Sequence, residues 1–426
     1  MRKLMAATVG FALVAATPGI ALAARERTER TAQAAQAARQ WTAAWAAAPQ
    51  RPSVGFEPNW SEQGFSGQTV RQVMRITAGG SAVRVRLSNR YGASPLKVAA
   101  MTVAKAGRGP ELRPGSLRHL TFGRSRSVVV PVGGQVVSDG AKLKVAPLES
   151  LTVTMYLPET TGPATAHLQG YATAYRAQGD RTADAGGAFP TDAGKVTHSR
   201  YYLSGIDVAG GAARRDTVVA FGDSITDGFG AGNDTDARYP DALAERLAKA
   251  GRPRPVLNAG IGGNMILSDS AWFGDHGLGR FRRDALADPR VGTVVVLHGL
   301  NDIGFSEVDL PTYKPNPDRS LAELIAGHRA LIRQAHARGV KVIGATLLPM
   351  KGAEYYTPRS AEKIRRLNHW IRTSGEYDAV ADFNKAVADP RDPERLRAAF
   401  DSGDHKHPNA AGYRAMADAV DLAEIS

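Results

Sequence analysis

Four short segments of the chain carry side chains whose types and spacing suit nucleophilic acyl chemistry. In Phe221-Gly222-Asp223-Ser224-Ile225-Thr226-Asp227-Gly228, a small-residue turn follows the apolar run Val218-Val219-Ala220. Such a turn can hold Ser224 near a helix N-terminus with its own N–H open to an oxyanion. It is not the G-x-S-x-G elbow, because Thr226 stands at the second glycine position. Taken alone, it reads equally as a helix start capped by Asp or Ser. The second segment, Leu257-Asn258-Ala259-Gly260-Ile261-Gly262-Gly263-Asn264, has glycines that allow tight turns and unshielded N–H groups, as an oxyanion donor or a plain βα loop would need. In the third, Leu297-His298-Gly299-Leu300-Asn301-Asp302, the Asn301 amide is a further donor and His298 reads as a core or supporting histidine. The fourth, Asp401-Ser402-Gly403-Asp404-His405-Lys406-His407-Pro408-Asn409, sets Asp404 three residues before His407, close enough for a carboxylate to orient an imidazole.

These segments need elements to present them. The apolar stretches Thr217–Phe221, Pro255–Asn258, Gly292–Leu297, Val340–Leu347 and Ala379–Phe383 read as strands, and 239–250, 320–338, 358–373 and 410–421 read as helices. Near-continuous apolar strands such as Thr293-Val294-Val295-Val296-Leu297 imply a parallel sheet covered on both faces. Ligands of such folds bind outside the carboxyl ends of the strands, where the four segments begin.

Together the four segments resemble the consensus blocks of the SGNH hydrolases, also called GDSL esterases and lipases, in which Ser, Gly, Asn and His follow in this order. The resemblance covers about 214–426 and implies a flavodoxin-like α/β/α sandwich around a central parallel sheet of about five strands. Carried over, Ser224 is the nucleophile, the Ser224 N–H, Gly263 and Asn301 are the oxyanion donors, His407 is the base and Asp404 orients it. Gly260 and Gly262 are weaker choices than Gly263. His405 has Ser402, not an acid, three residues before it, whereas His407 fits the D-x-x-H-P pattern. The competing view of Asp401, Asp404, His405 and His407 as metal ligands lacks a matching set at another strand end. The expected catalysis therefore needs no cofactor and no metal. Loops 269–279, 304–318 and 350–358 are expected to wall the pocket, with Trp272, Phe273, Tyr313, Tyr355 and Tyr356 as contacts or packing residues.

The rest of the 426-residue chain reads differently. Period-2 alternation recurs from about 68 to 175, as in Val83, Val85 and Leu87 alternating with Arg84 and Arg86, and Gly/Pro/Asn turns punctuate it, which predicts an antiparallel β-sandwich. It is similar in shape to the jelly-roll accessory domain of some secreted carbohydrate esterases. Trp41 and Trp45 lie at the end of an Ala-, Gln- and Arg-rich stretch that suits helix or strand, and 179–215 reads as domain end and linker. Met1-Arg2-Lys3, the apolar run Leu4–Ala16 and Ala21-Leu22-Ala23 predict a secretory signal peptide. The expected organisation is thus a signal peptide at 1–23, the β-sandwich at 24–211 and the hydrolase domain at 212–426, in a secreted protein.

The chain has no Cys, which removes thiol catalysis, Cys-ligated zinc and disulfide scaffolds and leaves oxygen or nitrogen nucleophiles. Its net charge of +13 is uneven: residues 24–211 carry 23 basic and 12 acidic side chains, whereas 212–426 carry 29 of each. That excess suits either a solvated face or an anionic polymer or surface. Nucleic acid is not an expected partner, because no recognition helix or aromatic-basic interleaving is present. Three functions fit: an esterase removing short acyl groups, acetyl above all, from carbohydrate; an extracellular lipase or phospholipase; and a non-catalytic polysaccharide-binding protein, which the intact blocks disfavour.

Overall fold

The computed structural model describes residues 41–210 and 215–425. The expected signal peptide at 1–23 lies outside the described residues.

Residues from Trp41 to Ala209 build mostly antiparallel sheets. One sheet has the order Val196–Thr197, Ala174–Gln178, Gln68–Arg75, Ser150–Leu157, Ala100–Lys105, Arg118–His119. The other sets Leu203–Ala209 between Trp41–Ala46 and Gly80–Ser88, with Gln135–Val137 and Ala141–Val145 beyond. The alternation works as its period demands: Val83, Val85 and Leu87 are fully buried and share one apolar core with Val70, Val153 and Met155 of the facing sheet. On the opposite side of the same strand, Arg84 and Arg86 reach Asp207 of the neighbouring strand at 2.9 and 3.3 Å.

Leu203–Ala209 falls within the stretch read partly as linker, yet it is a central strand. Its glycine misleads. Gly205 lies at a register shift, and a Cβ there would run into the Arg86 guanidinium. Trp41–Ala46 adopts the strand rather than the helical alternative.

From Thr217 onward the chain forms a five-stranded parallel sheet. In spatial order its strands are Val256–Gly260, Thr217–Gly222, Val291–Leu297, Lys341–Ala345 and Ala379–Ala381. That is the 2-1-3-4-5 order of flavodoxin-like sheets. Every residue of Val291–Leu297 is buried, as expected for a strand covered on both faces. Helices Tyr239–Lys249 and Ala410–Asp418 pack together in one layer, while Gly277–Asp284, Leu321–His336 and Pro358–Thr373 form another. Two helix starts carry reciprocal caps, Ser320 with Glu323 and Thr357 with Ser360, and Pro358 occupies the first turn of the latter.

Val256–Gly260 ends the parallel sheet, and an uncovered edge strand is an aggregation hazard. The antiparallel domain covers it. Trp41–Ala46 runs beside this strand, Ala43 joins the core of the parallel domain, and Thr77 Oγ1 accepts the Val256 N–H at 2.9 Å and lies 3.0 Å from the Val256 carbonyl. Thr77→Val keeps the shape and strands a buried N–H, so it should cost about 1–3 kcal/mol. Urea unfolding followed by tryptophan fluorescence should show a lower midpoint at an unchanged slope. An unchanged midpoint would remove Thr77 from the contact between the domains.

Candidate active site

The carboxyl ends of the first three parallel strands and the turn before the last helix converge on Ser224. Asp223 ends the first strand's turn and caps the short helix Ser224–Asp227, accepting the Ile225 N–H at 3.1 Å. Ser224 Oγ then lies 2.7 Å from His407 Nε2, and His407 Nδ1 lies 2.5 Å from Asp404 Oδ2. The other Asp404 oxygen accepts the backbone N–H groups of His407 at 2.9 Å and Lys406 at 3.1 Å. Burial pulls the Asp404 carboxyl upward, but the His407 hydrogen bond and charge and these N–H groups hold it well below the usual carboxylate range. Asp404 is thus ionised, and His407, bonded to it through Nδ1, presents its Nε2 to the serine.

His405 does not share this arrangement. It has φ +65°, bonds Asp401 through Nδ1 at 2.6 Å, and leaves its side chain 43% exposed. The two His–Asp pairs are separate, and no group of three or more potential metal ligands occurs among the described residues.

Hydrogen bonding also separates the three glycines of the second segment. Gly260 N–H donates to Asn258 Oδ1 at 2.9 Å and Gly262 N–H to Asp227 Oδ2 at 3.2 Å. The N–H groups of Ser224 and Gly263 have no acceptor among the described residues. Gly263 has φ +70°, and a Cβ there would strike the Phe273 ring, so both the backbone and the space require glycine. The buried Asn301 amide donates to the Asn264 carbonyl at 3.1 Å, which turns it toward the same loop.

Two buried groups hold this loop, and one of them, Arg280, is a residue that sequence reasoning did not assign. Arg280, fully buried on the helix Gly277–Asp284, donates to Gly222 O and Ala259 O, each at 2.7 Å, and to Asn264 Oδ1 at 2.8 Å. It thereby ties together the ends of the first two strands and the glycine loop. Burial lowers its pKa to about 10, still charged at neutral pH. His298 has the supporting place expected of it. Burial, the Arg280 charge and His328 hold it well below the ordinary imidazole value, so the ring is neutral. Nδ1 accepts the Gly299 N–H at 3.1 Å, which leaves Nε2–H to donate to Asn264 Oδ1 at 3.1 Å.

The loop aromatics divide. Phe273 packs on Gly263, with Phe305 at 5.3 Å. Tyr313 stacks on Phe305 at 4.2 Å, and Tyr355 meets both edge-on; Tyr313 and Tyr355 are 8% and 5% exposed and therefore serve as packing. Trp272 is half-buried beside Phe56, and Tyr356 turns away to bond Glu394 at 2.6 Å. Phe229, which sequence reasoning passed over, lies 4.4 Å from the His407 ring. Its place directly after the first segment, five residues beyond Ser224, was the available signal.

The antiparallel domain reaches the site through 167–173. His167 Nε2 lies 3.0 Å from Asp227 Oδ1 and its Nδ1 3.0 Å from Ala48 O. The Asp234 carboxylate accepts the Thr173 N–H at 2.7 Å and its hydroxyl at 2.5 Å. Sequence patterning gives no hint of such contacts, because they join residues about 60 positions apart with no shared element.

Asp223 supplies a pH test. Burial, with a contribution from the Asp302 charge, pushes its carboxyl up to about 7, and Oδ2 has no partner. The unfolded chain titrates near 3.9, so the folded state holds the proton more tightly and stability falls as pH rises from about 4 to about 7. Asp223→Asn keeps the cap and removes the titration. Its Tm relative to the wild type should therefore rise across that window and level off above it; a constant difference would refute this role for Asp223.

Comparison with known proteins places these segments in a family. Residues 220–415 match the model of the GDSL-like Lipase/Acylhydrolase family. No curated protein matches the chain. Among solved structures, an acetylxylan esterase from Geobacillus stearothermophilus is 23% identical, covers 50% of this chain and 95% of its own, and gives a TM-score of 0.38. A GDSL-like lipase from Bacteroides thetaiotaomicron is 19% identical, with 51% and 91% covered and a TM-score of 0.38. The lipase/acylhydrolase from Enterococcus faecalis is 20% identical, with 48% and 92% covered and a TM-score of 0.37. Residues 220–415 thus match a GDSL-like lipase/acylhydrolase domain, and a domain of mostly antiparallel β-sheets precedes them in this chain.

Proposed function

We propose that the protein is a serine esterase that removes short acyl groups, acetyl above all, from carbohydrate. The observation that carries the reaction type is the continuous relay from Ser224 through His407 to Asp404, with hydrogen bonds of 2.7 and 2.5 Å. His407 Nε2 takes the Ser224 proton as Oγ attacks the ester carbonyl. The oxyanion forms opposite the acceptor-free N–H groups of Ser224 and Gly263 and the Asn301 amide. The alcohol leaves with the proton from His407. Water, deprotonated by the same imidazole, then releases the acid and restores the serine. Asp404, ionised throughout, steadies the imidazolium.

The short-acyl reading is supported by packing beside the oxyanion donors. Phe273 fills the space over Gly263, and Phe305, Tyr313 and Tyr355 close in behind it with ring contacts of 4.2–5.7 Å. Forcing a longer chain into packed rings costs roughly 1–3 kcal/mol, or about one to two decades in rate. The signal-like first 23 residues support export, and the basic excess of 24–211 supports attraction to an anionic polymer or surface.

Across p-nitrophenyl esters from two to sixteen carbons, kcat/KM should fall beyond about four carbons. A rise toward long chains, or faster hydrolysis of phospholipid vesicles, would replace this reading with the lipase alternative. His407→Ala should lose at least about 10³-fold in kcat, by analogy with removal of a triad histidine. His405→Ala should stay within a few-fold of the wild type. The reverse order would assign the base to His405.

A further inference from the structure

We infer that the antiparallel domain supplies part of the substrate-binding site, with Gln169 and Phe56 forming a subsite for the polyhydroxylated alcohol half of the ester. The inference rests on the carbohydrate-ester reading above and deepens it.

Two residues of this domain lie beside the glycine loop, one directly and one through Phe273. The first is Gln169. Its Oε1 occupies the place that a Cβ on Gly262 would take, so the amide lies directly on the residue before Gly263. Its backbone is fixed on both sides. Leu168 N–H donates to Gln50 Oε1 at 3.0 Å, Leu168 O accepts from Ser199 Oγ at 2.7 Å, and Tyr171 O accepts the Asp234 N–H at 3.0 Å. The Gln169 amide itself is half-buried and makes no hydrogen bond among the described residues. A primary amide held in place with two donors and an acceptor unused suits a ligand's hydroxyl groups.

The second is Phe56. Its ring stacks on Phe273 with centroids 5.5 Å apart and 18° between planes, and Trp272 lies 6.4 Å away. Phe273 in turn abuts Gly263. Yet Phe56 remains 55% exposed, one of the few large apolar side chains so exposed among the described residues. An aromatic ring that stays exposed beside the site offers a flat apolar face to a ligand. A pyranose offers the matching chemistry, with an apolar C–H face for the ring and hydroxyl groups for the amide.

Gln169 therefore lies on Gly262 directly and Phe56 reaches Gly263 through Phe273, in the loop that carries the free Gly263 N–H. With the acyl half assigned to the packed rings of the parallel domain, the amide of Gln169 and the exposed ring of Phe56 are assigned to the alcohol half. The pieces that hold them include His167 and Thr173, bonded to Asp227 and Asp234 of the parallel domain. A fixed junction between the domains would make the subsite a property of the whole chain.

The test uses the full chain and two acetyl esters, p-nitrophenyl acetate and acetylated xylo-oligosaccharides. In Gln169→Ala and in Phe56→Ala, the ratio of kcat/KM on the saccharide to that on the p-nitrophenyl ester should fall at least tenfold, chiefly through a higher KM. Phe56→Trp should restore most of the ratio. A substitution that merely disturbs the glycine loop would lower both activities together and leave the ratio within about twofold, which would overturn the inference. If the wild type cleaves the p-nitrophenyl ester and no acetylated saccharide, the carbohydrate reading fails and the subsite falls with it. If the wild type cleaves both and the ratio holds in the variants, only the subsite is lost.

Discussion

A single buried guanidinium holds the candidate site in place. Arg280 bonds the Gly222 and Ala259 carbonyls at the ends of the first two parallel strands and the Asn264 side chain, so the Ser224 turn and the Gly263 loop keep one mutual position. The arrangement is costly to bury and costly to break. A charged group out of water needs all its donors used, and three close hydrogen bonds, the Asp284 carboxylate at 3.4 Å and the Phe221 face at 4.2 Å supply that. His298, kept neutral by the same surroundings, shares the Asn264 oxygen and completes the support. The proposed serine chemistry needs donors that are already aimed when charge develops, and this network holds the Ser224 turn and the Gly263 loop rigid.

The two domains depend on each other at both ends of their contact. At one end, Thr77 and the strand Trp41–Ala46 cover the exposed edge of the parallel sheet. At the other, His167 and Thr173 grip the loop that follows Ser224. That loop in turn packs on the histidine turn, since a Cβ on Gly230 would lie 2.7 Å from both the Pro408 carbonyl and Ser402. Between these ends, Asp275 accepts from Tyr91 at 2.6 Å and from Arg283 at 2.9 Å. The antiparallel domain is thus built into the frame of the site and is not a tethered passenger.

The parts legible in the sequence are those written in local pattern. The parallel strands are continuous apolar runs, the sandwich strand Gly80–Ser88 alternates with period two, and Ser224, Asn301, Asp404 and His407 follow strands or precede a helix. Elements that depend on tertiary contact were not legible. Leu203–Ala209 hid behind Gly205, whose reason is a bulge against Arg86. The helix Gly277–Asp284 hid behind Gly277 and Gly279, and with it Arg280, which by composition reads as one more solvated arginine beside Arg282 and Arg283. Tyr313 and Tyr355 show the opposite failure. Aromatics in long loops suggest binding, but here they pack on each other.

The central claim is that Ser224 is the group that attacks. A fluorophosphonate reacts with a serine only where a base and an oxyanion site activate it. Peptide mapping by mass spectrometry after labelling of the full chain is the most direct measurement. One adduct per chain is expected, on the peptide that carries Ser224. An adduct on another residue, or none in a preparation that hydrolyses p-nitrophenyl acetate, would contradict it.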